Sequence, residues 1–156
     1  MEEIHYKDND ALQSLVDEDF GDWSAPLKIT QEMINEFAEL SGDDMWLHVD
    51  EERCAKESPF GSTIAHGFLT LSLLPKLKHS GNKLGAVSGF SHMMNYGSDK
   101  LRFLGAVPVN SEIHSKTKLA SVEVSDSKTK VTMVHQVHVV GQDTPALIYE
   151  MVFVYL

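Results

Sequence analysis

An acid and two histidines, carried by two short segments, form the most specific chemical pattern in the chain. Asp43 precedes His48 by five residues in the segment Ser41-Gly-Asp-Asp-Met-Trp-Leu-His-Val-Asp50. The segment Ile64-Ala-His-Gly-Phe-Leu-Thr-Leu-Ser-Leu73 places a His66-Gly67 pair directly before a strongly apolar stretch. A carboxylate and an imidazole can move protons at one water molecule, and a free N–H at the start of a helix can stabilise a negative oxygen. These groups are the parts needed to add water across an activated double bond.

Each of these residues also has a purely structural interpretation. Asp43 could cap the following turn, and His48 could be an ordinary hydrogen-bonded residue of a loop. Gly67 could serve only as a tight turn into the next helix, with His66 as the capping group of that helix. The coincidence of the two segments favours the catalytic interpretation.

A metal site is a further alternative, because Asp43, His48, Asp50 and His66 could supply two imidazoles and a carboxylate. The spacing of His48 and Asp50 differs from the i, i+4 pairing of common zinc sites. The other six histidines are scattered along the chain. We therefore expect no metal.

The composition is that of a soluble single domain. The chain has 156 residues, 42% apolar and 23% charged, with a net charge of −10. This charge, without a basic cluster, argues against a nucleic-acid partner. The single Cys54, the absence of a secretory signal and the absence of an apolar run of about 20 residues predict a cytoplasmic protein without a membrane segment.

The first half of the chain predicts helices. Leu12, Leu15, Val16 and Phe20 have near-helical spacing, and a second helix is expected to begin after Thr30 and to end at Gly42. A short helix is expected from Asp50 to about Glu57. The range 67–78 predicts a helix that is apolar on nearly all sides, bent by Pro75 and ended by Gly81.

The second half predicts strands, over Ala86–Tyr96, Lys100–Leu104, Ser111–Val124, Lys130–Val140 and Ala146–Leu156. His135 alternates with apolar residues on one face of its strand, which is typical of a core or interface histidine. Helices followed by antiparallel strands indicate an α+β fold in which a curling sheet holds one buried helix.

Three stretches make the chain similar to the MaoC-like dehydratase family, and more narrowly to its nodulation-protein-N subgroup. They are Phe37–Asp50, Pro59–Pro75 and Asn95-Tyr-Gly97 with Lys100-Leu-Arg-Phe103. The resemblance implies a single hot-dog domain over residues 25–156, preceded by an extension over residues 1–24. It also implies a homodimer in which two such domains form one continuous sheet.

The resemblance implies reversible hydration of trans-2-enoyl thioesters to (R)-3-hydroxyacyl thioesters. Asp43 and His48 would activate water and the Gly67 N–H would bind the thioester oxygen, with His66 and Met45 in supporting positions. No cofactor is implied beyond the coenzyme A or acyl carrier protein of the substrate. Lys100 and Arg102 are the nearest basic candidates for the phosphates of coenzyme A.

One position departs from the family pattern, since Met45 stands where the subgroup more often carries an amide side chain. A thioether there favours, as an alternative, a non-catalytic module that binds acyl thioesters. A hot-dog thioesterase is the second alternative, and the motifs fit it less well.

Overall fold

The computed structural model describes residues 3–79 and 83–156, which form five α-helices, two 3₁₀ turns and seven strands. The helices are α1 (Asn9–Gln13), α2 (Gln31–Ser41), α3 (Trp46–Val49), α4 (Glu51–Glu57) and α5 (Gly67–Ser72), and the 3₁₀ turns are Leu74–Lys76 and Lys83–Ala86. The strands are β1 (Ile4–His5), β2 (Leu27–Lys28), β3 (Val87–Ser88), β4 (Met93–Phe103), β5 (Glu112–Val124), β6 (Thr129–Val139) and β7 (Leu147–Tyr155).

Five strands form one antiparallel sheet in the order β2-β5-β6-β7-β4, and β1 pairs with β3 in parallel. The predicted α+β class is confirmed. The last residues of β7, from Val152 to Tyr155, are buried on both faces of the sheet, as their continuous apolar run predicts. No helix of the described ranges is long and apolar enough to cross a membrane.

Two apolar clusters cover the inner face of the sheet. The first joins α2, α5 and the following 3₁₀ turn to one end of the strands, with Ile34, Leu69, Leu77, Ile113 and Val137 among its buried members. The second joins α1 to the other end, and its buried members are Leu12, Val87, Leu119, Val122, Val131, Phe153 and Tyr155. The N-terminal segment therefore contributes to the core as well as to the surface.

The N-terminal segment also covers one edge of the sheet. Backbone N–H groups of Asp17, Gly21 and Ser24 donate to carbonyl oxygens of β5 at 2.9, 2.9 and 2.8 Å. These bonds satisfy the edge of β5 that β2, only two residues long, leaves open. At the opposite edge, β4 is paired only with β7, and every residue of β4 except Leu101 is exposed. The proposed domain boundary at residue 24 stays a prediction.

The helices that surround the sheet mostly follow their sequence signals. Thr30 caps α2 by accepting a hydrogen bond from Met33 N–H, and Gly42 ends it with φ of 78°. Asp50 caps α4 in the same way, by accepting from Arg53 N–H. Both helices are confirmed.

The predicted helix over residues 67–78 is wrong in its length. α5 ends at Ser72, and the chain continues as a 3₁₀ turn because Pro75 has no N–H to donate. The helix is also not buried on every side, since Phe68 is 60% exposed, whereas Leu69 and Thr70 are buried as predicted. The predicted end at Gly81 lies outside the described residues.

The predicted break between the strands Ala86–Tyr96 and Lys100–Leu104 is also absent. Gly97-Ser98-Asp99 continues β4 as part of the strand, and the irregularity of the sequence appears as two register shifts against β7. A glycine inside a strand commonly marks such a bulge.

His135 lies on the inner face of β6 between the two apolar clusters. Its ring stacks on Tyr149 with 6.2 Å between the centroids, and neither ring nitrogen has a hydrogen-bond partner among the described residues. Burial, with a smaller contribution from nearby His79, lowers the pKa of His135 from 6.5 to about 4. The ring is therefore neutral in the folded protein at neutral pH.

Replacing His135 by Phe should flatten the dependence of stability on pH. The unfolded chain takes up a proton near pH 6.5, whereas folded His135 stays neutral down to about pH 4, so the free energy of unfolding falls as the pH drops through this window. Between pH 8 and pH 5 the wild type should lose about 2 kcal/mol that His135→Phe does not lose. Urea unfolding at both pH values measures the difference, and equal losses in the two proteins would contradict it.

Candidate active site

His48 is fixed in orientation by two hydrogen bonds. It lies on the single turn α3, where the sequence predicts only a loop. Its backbone N–H donates to the carbonyl of Met45 at 2.9 Å. Its Nδ1 lies 2.7 Å from the carbonyl oxygen of Ile64. A carbonyl only accepts, so Nδ1 carries the proton and Nε2 of the neutral ring presents a lone pair.

His66 is held by the mirror arrangement. Its Nε2 lies 2.8 Å from the carbonyl oxygen of Asp43, so this nitrogen donates and Nδ1 carries the lone pair. The residue is 2% exposed, and Nδ1 has no hydrogen-bond partner among the described residues. His66 is the N-cap residue of α5, but its side chain accepts from no N–H of the helix, so the imidazole does not act as a capping group.

The two histidines and the acid meet at one point, as the sequence predicts. The rings of His48 and His66 stack with centroids 3.8 Å apart. One side-chain ligand atom from each of Asp43, His48 and His66 lies within 4.8 Å of the other two. The side chain of Asp43 is exposed, and its own N–H donates to Ser41 Oγ at 3.2 Å.

This trio is also the group of described residues that could hold a metal ion. In each ring one N–H donates to a backbone carbonyl, and the other nitrogen keeps a free lone pair. Metal-binding histidines are usually held in this way. Asp50, the fourth candidate from the sequence, is directed elsewhere, since its carboxylate caps α4. A separation of at most 4.8 Å between the three ligand atoms suits a bridging water as well as it suits a metal.

A cavity of about 340 Å³ opens beside His48 at the start of α5. Gly67 and Thr70 line it from the helix, and its remaining walls are largely apolar. These walls are Phe60, Ile64, Ala65, Phe103, Leu104, Gly105, Ala106, Val107, Ala146 and Leu147. A single polar side of His48 and Gly67 facing an apolar interior suits a ligand with one polar end and a carbon chain.

The lack of a side chain at Gly67 has a specific structural cause. A Cβ at this position would lie 2.7 Å from Cδ1 of Phe103, whose ring rests on the glycine and contacts Phe68. Gly67 is the first residue of α5, so its N–H has no partner within the helix. Because α5 has only six residues, the N–H itself matters more here than a helix dipole.

Phe103, Phe60 and Thr70 were not identified as site residues from the sequence. Phe103 belongs to a stretch that carries the family resemblance, but alternation along a strand indicates only which face it occupies. Its contact with Gly67 depends on how β4 passes the start of α5, which no local pattern reveals.

The supporting and basic candidates lie outside the cavity. Met45 is 48% exposed and precedes α3, so its side chain does not line the cavity walls. Lys100 and Arg102 alternate along β4 with Leu101, which packs against the core, so they face the outer side of the sheet. Their role toward coenzyme A stays a prediction.

Comparison with known proteins identifies relatives along most of the chain. The family of the MaoC like domain matches residues 14–141. The 3-hydroxyacyl-thioester dehydratase Z of Mycobacterium tuberculosis is 42% identical over 136 residues, which are 86% of this chain and 85% of that protein. Nodulation protein N of Rhizobium meliloti is 36% identical over 148 residues, 94% of this chain and 88% of that protein.

A solved structure supports the fold independently. The (R)-hydratase from A. caviae involved in PHA biosynthesis matches with a TM-score of 0.67 and 24% identity, covering 86% of this chain and 95% of that one. The predicted family resemblance and the hot-dog fold are both confirmed.

Gly67→Ala should destabilise the protein through Phe103. The added methyl group must push the aromatic ring away, and overpacking of this kind typically costs about 1–3 kcal/mol. In a Phe103→Ala background the added methyl group meets no ring, so Gly67→Ala should lower the free energy of unfolding by less than about 0.5 kcal/mol. Alanine also favours the helix over glycine, which offsets part of any loss. Thermal unfolding of the four proteins of this cycle provides the measurement, and strictly additive effects would show that the two residues do not interact.

Proposed function

This chain belongs to the MaoC-like dehydratase family, and we propose that it catalyses the reversible hydration of trans-2-enoyl thioesters to (R)-3-hydroxyacyl thioesters. The observation that carries the proposal is the convergence of Asp43, His48 and His66 within 4.8 Å beside a largely apolar cavity. The names of the relatives, a 3-hydroxyacyl-thioester dehydratase and an (R)-hydratase, agree with this chemistry.

Asp43 and His48 would hold the reacting water. A carboxylate oxygen of Asp43 and a ring nitrogen of His48 lie within 4.8 Å of each other. One water molecule that makes two hydrogen bonds of about 2.8 Å can bridge this distance. The carboxylate and Nε2 of neutral His48 are both acceptors, so the water donates both of its hydrogens to them. Its oxygen lone pairs are then free to face the substrate.

In the hydration direction the water oxygen bonds to Cβ while Asp43 takes its proton and His48 keeps the water oriented. The electrons of the Cα–Cβ double bond move to the thioester oxygen and form an enolate. Protonated Asp43 then delivers the proton to Cα, the enolate electrons form the new Cα–H bond as the thioester carbonyl is restored, and Asp43 is again a carboxylate. Dehydration follows the same steps in reverse.

The N–H of Gly67 would stabilise the enolate oxygen. It lies at the wall of the same cavity as His48, and α5 leaves it without an internal acceptor. A hydrogen bond to developing negative charge contributes more in the transition state than in the substrate, which lowers the barrier.

The substrate would be an acyl-CoA or acyl-carrier-protein thioester, and the reaction needs no further cofactor. His66 would act as a positioning residue, since its ring both stacks on His48 and binds the Asp43 carbonyl. The buried free thiol of Cys54 is compatible with the cytoplasm as the site of action.

Two alternatives remain distinguishable by chemistry. A non-catalytic binding module, favoured by Met45, would bind an enoyl thioester without consuming it. A thioesterase would release free thiol. The retention of the Asp43, His48 and Gly67 set favours the hydratase over both.

The active unit would be a homodimer formed through the bare edge of β4. Its unpaired backbone groups could bond to a second copy and continue the sheet. Exposed Met93, Met94 and Tyr96 on this strand would lose contact with water on association. Because Phe103 ends β4 and lines the cavity, the partner would border the substrate site.

Asp43→Asn and His48→Gln should each lower the hydration rate at least about 100-fold, because general acid–base groups typically contribute that much. The melting temperature should stay close to that of the wild type for Asp43→Asn, whose side chain is exposed. Asp44→Asn, one residue away and also exposed, is the matched control and should keep full activity. Near-full activity in both Asp43→Asn and His48→Gln would refute the catalytic roles of these two residues.

Met45→Gln should raise kcat/KM about two- to twelve-fold, the effect of one added hydrogen bond of about 0.5–1.5 kcal/mol. The exposed position leaves room for an amide without burying it. The pH profile should not change, because neither methionine nor glutamine carries an ionisable side chain, and Met45→Leu should show no gain. Steady-state kinetics on short and long enoyl-CoA substrates provide the test, and an unchanged or lower kcat/KM would contradict the added contact.

Light scattering at micromolar concentration should give the mass of a dimer of the 17.4 kDa chain. Met94→Asp places a charge on the edge of β4 and should shift the equilibrium toward the monomer. Val140→Asp changes an exposed apolar residue outside β4 and should leave the dimer intact. A monomeric wild type would contradict both the dimer and the shared substrate site.

A further inference from the structure

The amide side chain of Gln31, the first residue of α2, makes three hydrogen bonds close to His48. Its Nε2 donates to the backbone carbonyl of His48 at 2.8 Å and to Oδ1 of Asn35 at 2.9 Å. Its Oε1 accepts from the hydroxyl of Thr63 at 2.5 Å. Gln31 does not line the cavity beside His48, and the proposed chemistry does not yet give it a role.

The partners of this amide determine its orientation. The carbonyl of His48 can only accept a hydrogen bond, so the nitrogen of the Gln31 amide faces it. The opposite orientation would place Oε1 against the carbonyl oxygen and bring two acceptors together. Thr63 is 1% exposed, and its hydroxyl donates to the remaining oxygen of the amide. A side chain with both a donor and an acceptor therefore satisfies His48 and Thr63 at once.

These bonds hold His48 at two places against one short segment of the chain. Gln31 connects the backbone carbonyl of His48 to Thr63. The next residue, Ile64, accepts from Nδ1 of the same histidine at 2.7 Å, and its N–H donates to the carbonyl of Leu47 at 3.1 Å. The separation of α3 from Ile64 decides whether the imidazole reaches the Ile64 carbonyl. The amide of Gln31 bridges this separation.

We propose that Gln31 is a positioning residue of the hydration reaction, which acts through His48 and does not contact the substrate. It holds α3 and Thr63 at the distance at which Nδ1 of His48 donates to Ile64, so Nε2 keeps the lone pair that orients the reacting water. Without the amide, the carbonyl of His48 and the hydroxyl of Thr63 lose the partner that joins them. The inference rests on the proposed hydratase function, in which a small misplacement of a catalytic group slows the reaction strongly.

Gln31→Glu tests the end of the amide that faces His48. The new carboxylate has the same shape and can still accept from Thr63, but it cannot donate to the carbonyl of His48. With crotonyl-CoA at neutral pH, kcat should fall about tenfold because His48 is misplaced. KM should stay within about twofold, because Gln31 lines no wall of the cavity. Gln31→Met, of similar length and without charge, should lower kcat at least as far and serves if the carboxylate prevents folding.

Asn35→Asp is the matched control for the added charge. It places a negative charge one turn along α2 at an exposed residue and keeps the oxygen that accepts from Nε2 of Gln31. It should keep the kcat and the KM of the wild type.

The tautomer of His48 supplies a readout that does not depend on turnover. In the full chain labelled with ¹⁵N-histidine, the His48 signals are identified by NMR through their loss in His48→Gln. The wild type and Asn35→Asp should show one tautomer, with the proton on Nδ1, whereas Gln31→Glu and Gln31→Met should show a mixture of the two. A purely structural role of Gln31 would lower the melting temperature and leave the tautomer unchanged.

Four outcomes would each overturn the proposal. They are a wild-type kcat in Gln31→Glu, a rise in KM as large as the fall in kcat, an equal loss of kcat in Asn35→Asp, and a His48 tautomer that Gln31→Glu and Gln31→Met leave unchanged. A wild type that does not hydrate crotonyl-CoA would refute the hydratase function instead. The tautomer in the two Gln31 variants would then still decide whether Gln31 positions His48.

Discussion

The arrangement of the candidate site depends on two histidine-to-carbonyl hydrogen bonds that cross between two segments of the chain. His66 donates to the backbone of Asp43, and His48 donates to the backbone of Ile64, so each segment holds the other. The carbonyl partners decide which nitrogen of each ring carries the proton, because a carbonyl cannot donate. The same bonds therefore set both the position of the acid beside His48 and the lone pair that His48 presents. These two hydrogen bonds leave the buried Nδ1 of His66 without a partner among the described residues, which costs free energy.

The rest of the fold covers one edge of the sheet and leaves the opposite edge, β4, exposed. The N-terminal segment bonds to β5 and packs Leu12 into the second apolar cluster, which closes one edge and one end of the sheet. At the far edge, β4 ends at Phe103, whose ring rests on Gly67 at the start of α5. Phe103 thus belongs both to the open edge of the sheet and to the lining of the cavity, which connects the proposed dimer to the proposed chemistry.

Much of this could be predicted from the sequence where the signal is local. Thr30 and Gly42 mark the limits of α2, Asp50 marks the start of α4, and three long segments rich in β-branched and apolar residues become β5, β6 and β7. The meeting of Asp43, His48 and His66 was also predicted, from the pairing of two segments that resemble one family.

The remainder depends on contacts between distant residues, which a local pattern does not contain. The apolar pattern over residues 67–78 predicts a longer helix than α5, because the pattern continues past Pro75, whose missing N–H breaks the helical hydrogen bonding. The turn expected at Gly97 is absorbed by β4 because β7 continues to pair across it. The orientation of each histidine ring and the contact of Phe103 with Gly67 arise from how separate elements pack.

The most direct test of the central claim is to incubate the wild-type protein with crotonyl-CoA and to follow the enoyl absorbance and free thiol in parallel. The proposed chemistry predicts that the absorbance falls to an equilibrium value without thiol release, and that chiral analysis finds (R)-3-hydroxybutyryl-CoA. Unchanged absorbance despite binding, release of thiol, or formation of the (S) product would contradict it.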